Sequence, residues 1–182
     1  MAIDLAPFID PARTAVVALE VQENMLVAEQ ALIPGVARHA EAIGLVPNLA
    51  ALMTGARRVG AQVVYVCDQR RDDGLGAASN LMIGRAIADA GSRSWSHGPI
   101  DPRLAPHAGD IVLGREHGMT GFYTTPLDAY LRNLGVGTVI LAGVSANIAV
   151  NGTAIEAMNL GYRVLIARDC VAGDPPEYVD QL

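Results

Sequence analysis

Residues 138–167 have the sequence TVILAGVSANIAVNGTAIEAMNLGYRVLIA, which contains two apolar runs on either side of a segment with helical spacing. The runs Thr138–Ala142 and Arg163–Ala167 are short and rich in Val, Ile and Leu, as buried strands are. Between them, the segment from Ala146 to Leu160 has the length of a helix, and Gly161 is placed to end it. Two strands joined through a helix lie parallel in one sheet, so this stretch predicts a β-α-β unit.

The same alternation continues towards the N-terminus. Three more apolar runs predict buried strands at Thr14–Glu20, Ala61–Cys67 and Asp110–Gly114. Helical stretches are predicted to start at Pro47, to surround Leu81–Ile87 and to cover Leu127–Leu134. Strands that alternate with helices predict an α/β fold, a doubly wound and mostly parallel sheet with helices on both faces. The long irregular stretch Ser92–Gly109 is of a kind that is more often functional or interfacial than idle.

Length and composition restrict the class of protein. The chain has 182 residues, of which 51% are apolar and 18% charged, so disordered and low-complexity classes are excluded and one domain over residues 1–182 is expected. The net charge is −6 with no basic run, which excludes nucleic acid as a partner. All 13 basic residues are arginine, so any mechanism that needs a lysine is excluded as well.

Targeting signals and disulfides are not predicted. The start Met1–Asp4 lacks the basic and long apolar character of a signal peptide, and the apolar runs are too short to span a membrane. Cys67 and Cys170 are too few for a disulfide framework and are interpreted as small apolar fillers rather than nucleophiles. We therefore expect a cytoplasmic protein without a membrane partner.

The residues that end each strand are the candidates for chemistry, because ligands of open parallel sheets bind beyond the carboxyl ends of the strands. Glu20 ends the first strand among Val, Ala and Leu residues, where loss of water would raise its pKa towards acid–base use. The alternative is a glutamate that reaches solvent at the strand end. The second strand leads into Asp68, Gln69, Arg70 and Arg71.

Arginines near these strand ends suggest an anionic ligand. Arg115 and His117 have the same strand parity, so they project to one side if the extended run continues. Arg115 cannot act as a base, but it can hold a carboxylate through two hydrogen bonds. Arg71 is a candidate second clamp, and a solvated loop arginine is the alternative.

The turn after the fourth strand resembles a nucleophile elbow with Ser145 at its centre. An α/β-hydrolase triad needs a histidine after the serine, whereas all four histidines precede Ser145, so this interpretation is excluded. The backbone amides from Ser145 through Asn147 to Ala149 remain candidates for binding an anion or oxyanion, with Ser145 as a simple N-cap. The histidines are far apart, and Asp68 has none nearby, so neither a metal nor another cofactor is predicted.

Three segments together resemble the isochorismatase-like (cysteine hydrolase) superfamily. They are Thr14–Gln22, the stretch from Phe122 to Arg132, and the strand-to-helix unit that starts at Thr138. The similarity runs from about residue 12 to residue 180. The resemblance implies that the family fold is present and that the protein forms a homo-oligomer.

The family's catalytic triad is absent as such. The resemblance places Glu20 at the family's catalytic Asp, Ala149 at its nucleophilic Cys, and Glu116 at its Lys, six residues before Phe122. The Asp/His metal set of the nicotinamidase branch is also missing after the second strand. A methyl group cannot attack a carbonyl, so amide hydrolysis through a thioester is not expected.

Loss of the cysteine leaves acid–base chemistry available, since the isochorismatase branch of the family is understood to cleave a vinyl ether without a covalent cysteine intermediate. We therefore predict a hydrolase of a small polar or anionic metabolite, metal-free and cysteine-independent. In it Glu20 is the general acid/base and Arg115 and His117 position the substrate. The longer side chain of Glu20 is expected to reach the space that Ala149 leaves. The alternative is a catalytically inactive family member used for ligand binding or assembly.

Overall fold

A parallel sheet of five strands forms the centre of the protein, in the order β3-β2-β1-β4-β5, in a computed structural model that describes residues 4–71 and 98–181. The strands are β1 (Thr14–Leu19), β2 (Gln62–Asp68), β3 (Ile111–Arg115), β4 (Thr138–Val144) and β5 (Arg163–Ala172). All four neighbouring pairs are parallel. The predicted strands are confirmed within two residues at each end, except that β5 continues to Ala172 beyond an irregularity in its pairing with β4.

The helices of the described ranges are α1 (Glu23–Leu26), α2 (Pro34–Ala42), α3 (Leu45–Arg58), α4 (Leu127–Asn133), α5 (Asn151–Asn159) and α6 (Pro176–Val179). A π-helical turn, Ala146–Val150, precedes α5, so the helix predicted from Ala146 is present but begins with a wider turn. Helix α3 begins two residues before Pro47, because a proline fits the first turn of a helix, whose amides lack partners. Helix α2 was not predicted, and the stretch around Leu81–Ile87 lies outside the described residues.

Helices cover both faces of the sheet, as predicted. Alternate residues of β1 contribute to two cores: Val16 and Ala18 pack with helices α1 to α3, while Val17 and Leu19 pack with α4 and α5. This two-sided burial explains why the strands are continuous apolar runs. Within the described ranges, no helix combines the length and the apolar character that crossing a membrane requires.

The order of the strands reverses between β1 and β4, and a glycine allows these two strands to end side by side. Gly143 has a φ of +103°, and a Cβ atom there would overlap the carbonyl oxygen of Leu19. Only glycine fits such an approach without displacing backbone. The carboxyl ends of β1 and β4 therefore meet at the switch point, where ligands of open α/β sheets bind.

Candidate functional site

Glu20 is the first residue beyond β1 and adopts a backbone conformation that is rare for a residue with a side chain. Its φ is +52°, in the left-handed region, and its amide donates to the carbonyl oxygen of Val66 on β2. Such strain persists only where surrounding contacts impose it, and it is concentrated at functional sites. The glutamate is only 8% exposed, so its carboxyl does not reach solvent, which was the alternative considered for it.

Arg115, the last residue of β3, is the ion-pair partner of Glu20. Its guanidinium Nη2 contacts Glu20 Oε1, and the residue is 1% exposed. Glu116, which the family resemblance placed at the catalytic Lys, is exposed, so Arg115 rather than Glu116 faces the acid. Nη2 is also 3.6 Å from Asp68 Oδ1, because β2 and β3 pair in a register that sets Asp68 beside Arg115.

Asp68 in turn binds Arg70, whose Nε lies 3.0 and 3.2 Å from the two carboxylate oxygens. Glu20, Arg115, Asp68 and Arg70 thus form a buried row of alternating charge, which we call the charged row. Its formal charges cancel. Cancellation within the row is what makes burial of four ionisable groups tolerable.

Gln22 fixes the backbone that carries Asp68. Its Oε1 accepts from the Asp68 amide at 2.7 Å, and its Nε2 donates to the Asp68 carbonyl at 3.0 Å and to the Gly98 carbonyl at 2.6 Å. The residue is 1% exposed, so these bonds satisfy an otherwise unpaired buried amide. Gln22 therefore joins the end of β2 to the backbone at Gly98.

Burial is the largest influence on the carboxyl of Glu20, and it raises its pKa above the ordinary value. Arg115 and, more weakly, Arg70 lower this pKa, whereas the negative charge of Asp68 raises it; the net direction is upward. A carboxyl with a raised pKa beside a cation is suited to acid–base use.

A cavity of about 40 Å³ lies between the charged row and the turn after β4. Its described lining residues are Glu20, Met25, Leu32, Ile33, Asp68, Arg70, Arg115, Met119, Ser145, Ile148 and Ala149. Glu20 and Ala149 thus line the same space. That space is enough for about three water molecules.

The turn after β4 meets the expectation for an oxyanion site only in part. Ser145 borders the cavity and occupies the N-cap position, but its side chain makes no capping hydrogen bond. The Ile148 amide donates to the Ser145 carbonyl at 3.3 Å and is already in use. Asn147 is also a correction: it does not border the cavity, and its side-chain amide donates to the Asp174 carbonyl at 3.3 Å.

His117 and Arg71 lie outside the cavity as well. Strand β3 ends at Arg115, so the alternation on which the parity argument depends does not continue, and His117 is exposed. Arg71 is exposed, whereas the preceding Arg70 is buried in the charged row. The sequence did contain a signal for Arg70, because a residue two positions after Asp68 projects to the same side of an extended chain.

The described His, Cys, Asp and Glu side chains show whether a metal site or a reactive thiol is present. Within residues 4–71 and 98–181, no three or more His, Cys, Asp or Glu side chains are grouped so that they could hold a metal ion. Cys67 and Cys170 are both buried, and burial raises the pKa of each thiol to about 12. Neither described cysteine is therefore an activated nucleophile.

The sequence of this chain is similar to one protein family and, over shorter stretches, to curated amidohydrolases. Residues 14–182 match the family described as the Isochorismatase domain. A stretch of 77 residues is 38% identical to the maleamate amidohydrolase of Pseudomonas putida, covering 41% of this chain and 36% of that protein. A stretch of 84 residues is 36% identical to the ureidoacrylate amidohydrolase of Methylobacterium radiotolerans, covering 46% of this chain and 32% of that protein. The matched stretches thus span about a third of the length of these curated relatives.

A solved structure shows the same architecture over most of the chain. The N-carbamoylsarcosine amidase of Thermoplasma acidophilum superimposes with a TM-score of 0.72 at 28% identity, covering 93% of this chain and 89% of that one. The likeness therefore extends over the strands and helices that build the cavity.

Proposed function

The chain belongs to the isochorismatase family, and from that premise we propose that it is a hydrolase of a small polar or anionic metabolite that uses neither a metal nor a cysteine nucleophile. One observation carries the proposal. A buried carboxyl with a raised pKa, Glu20, borders a cavity together with Arg115 and Ala149. The acid–base group is thus present in the space where the nucleophile is missing.

Glu20 serves as the proton carrier in the proposed reaction. It donates a proton to the leaving atom as the scissile bond breaks, and it takes a proton from the water that adds to the substrate, so that it ends in its starting state. Arg115 keeps its own proton throughout and stabilises the carboxylate form of Glu20 or an anionic group of the substrate. Ser145, at the cavity wall, offers a hydroxyl for positioning.

The relatives suggest which compounds to test first. Maleamate and ureidoacrylate are small amides that carry a carboxylate, and the two arginines among the lining residues of the cavity are suitable partners for such a group. The panel therefore contains maleamate, ureidoacrylate and N-carbamoylsarcosine, together with smaller amides and enol ethers of carboxylic acids.

The test is turnover by wild type and by Glu20→Gln, with Glu177→Gln as a matched control that removes a carboxylate from an exposed position. We expect Glu20→Gln to lose at least about 100-fold in kcat, because proton transfer by a positioned acid contributes that much. Glu177→Gln should behave as wild type, and a chelator should have no effect. Unchanged turnover in Glu20→Gln, or loss of turnover with the chelator, would refute the proposed mechanism.

A ligand-binding protein without turnover is the second candidate, and the Glu20–Arg115 ion pair favours it. The acid that would transfer the proton is already engaged by a buried cation. Binding of panel compounds without turnover in the wild type would support this second function and exclude the hydrolase.

A further inference from the structure

Arg115 has more hydrogen-bond donors than the structure uses. A guanidinium carries N–H groups on three nitrogens. In Arg115 only Nη2 meets an acceptor, while the buried Nε and Nη1 have no hydrogen-bond partner among the described residues. Buried donors are almost always paired, because an unpaired buried donor has lost its hydrogen bond to water without forming another one. The site therefore lacks an acceptor next to Arg115.

The cavity bordered by Arg115 limits what that acceptor can be. Its volume of about 40 Å³ suits a small group of about three or four non-hydrogen atoms. A carboxylate with its first carbon has this size, and its two oxygens match a pair of guanidinium N–H groups. Ser145 borders the same space and its hydroxyl makes no capping bond, so it offers a further donor.

The charge of the residues around the cavity determines which proton transfer must accompany binding of a carboxylate. The four groups of the charged row carry no net charge, so an added carboxylate would give these groups one uncompensated negative charge, which is unfavourable in a buried place. Among the described residues, the charged and titratable groups facing Glu20 are Arg115 on β3 and Asp68, Arg70 and Cys67 at the end of β2. Asp68 is held by two contacts to Arg70, and the Cys67 thiol stays neutral, which leaves Glu20 as the group that can take up a proton.

We propose that the cavity is a carboxylate-binding subsite, in which a ligand carboxylate takes the place of Glu20 at Nη2 of Arg115, pairs with one of the unpaired nitrogens as well, and Glu20 takes up one proton. The exchange keeps the site neutral, since the ligand brings one negative charge and the proton removes one. Protonated Glu20 then donates a hydrogen bond to the ligand. This inference rests on the proposed function only in using the same cavity, and it specifies a carboxylate as the group recognised.

The probes are formate and acetate, with acetamide as the uncharged control for acetate. Binding is measured by isothermal titration calorimetry and by NMR titration in buffers free of carboxylates. We expect acetate affinity to fall by up to about tenfold per unit between about pH 5.5 and about pH 7.5, because one proton is bound with the ligand. Acetamide should bind at least about tenfold more weakly than acetate at the low end of this range.

Glu20→Gln is the decisive variant, since glutamine imitates the protonated acid without changing the shape of the site. In Glu20→Gln the affinity for acetate should be independent of pH and, at about pH 7.5, at least about tenfold higher than in wild type. Glu177→Gln, the exposed control, should keep the pH dependence of the wild type. Ala149→Val, which adds two methyl groups to the cavity wall, should abolish binding while the protein stays folded.

Several results would overturn the subsite. They are equal affinities for acetate and acetamide, pH-independent binding in wild type, weaker binding in Glu20→Gln, or no saturable carboxylate binding at the low end of the pH range. The assay needs no turnover, so its failure is distinct from failure of the hydrolase, which the kcat of Glu20→Gln tests.

Discussion

Replacing Arg115 by methionine tests the energetics of the charged row. Methionine has a similar length and packs well in apolar surroundings, so the substitution removes the charge without leaving a large void. It leaves Glu20 without a cation, while Asp68 keeps Arg70. We therefore expect Arg115→Met to lower the free energy of unfolding mainly through the carboxylate that it leaves unpaired.

The size of the loss follows from the geometry. Breaking a buried ion pair from one side costs about 3–5 kcal/mol, because the remaining charge is desolvated and uncompensated. Arg115 is 1% exposed, which places it in this class, but two of its nitrogens are already unpaired, which reduces what is lost. We therefore expect Arg115→Met to lower the free energy of unfolding by about 3 kcal/mol near pH 8, at the low end of the range.

The loss should depend on pH with a definite sign. Burial already raises the pKa of Glu20 above its ordinary value of 4.5, and removal of Arg115 raises it further. Above pH 4.5 the folded variant then binds more protons than the unfolded chain, so its stability falls as the pH rises through the folded-state pKa. Relative to wild type, the loss should grow by up to about 1.4 kcal/mol per pH unit.

The assay is urea-induced unfolding followed by far-UV circular dichroism, from about pH 5 to about pH 8 at constant ionic strength. Arg168→Met is the control, because it breaks an exposed ion pair with Asp180 and should cost at most about 0.5 kcal/mol. The double variant Glu20→Gln/Arg115→Met should recover at least about 2 kcal/mol of the loss at about pH 8. A loss below about 1 kcal/mol, or an equal loss with glutamine at position 20, would refute this reasoning.

Three further predictions concern thiols, the missing nucleophile and the switch point. Iodoacetamide at about pH 8 should label Cys67 and Cys170 only slowly in the folded protein, because burial raises both thiol pKa values to about 12; rapid labelling seen by mass spectrometry would contradict this. Ala149→Cys should release no ammonia from maleamate at an enzymatic rate, since the chain contains no lysine to manage the proton of the thiol, and robust ammonia release would show the opposite. Gly143→Ala should lower the free energy of unfolding by at least about 3 kcal/mol, because its Cβ would overlap the backbone of β1. Gly135→Ala is also at positive φ but has open space, so it should lower this free energy by only about 1 kcal/mol. Equal losses in thermal unfolding would contradict the expectation.

Much of the fold could be predicted from local pattern. Buried parallel strands need apolar side chains on both faces, so each strand appears as a continuous Val- and Ile-rich run, and all five were located in this way. Helix α2 was missed although Pro34 in its first turn and the buried face of Val36, Ala37 and Ala40 are signals of a helix. Strand β5 was predicted too short because its second half is partly polar. The single-domain organisation, the cytoplasmic location and the homo-oligomer stay predictions.

By itself, the sequence determined that Glu20 ends a buried strand, where its carboxyl could be desolvated or could reach solvent. The structure shows the residue buried, and this burial raises the pKa of its carboxyl. Only the tertiary structure decided which groups face it. Arg115 lies 95 positions further along the chain and meets Glu20 because the strand order places β2 beside β1 and β3 on the other side of β2. Because β3 ends at Arg115, His117 does not lie at the cavity. Arg70 lies on the buried side of the chain after β2, so it, rather than Arg71, belongs to the charged row. Sequence patterns report the local periodicity of one segment, whereas contacts between strand ends depend on strand order and register, which the packing of the whole sheet determines.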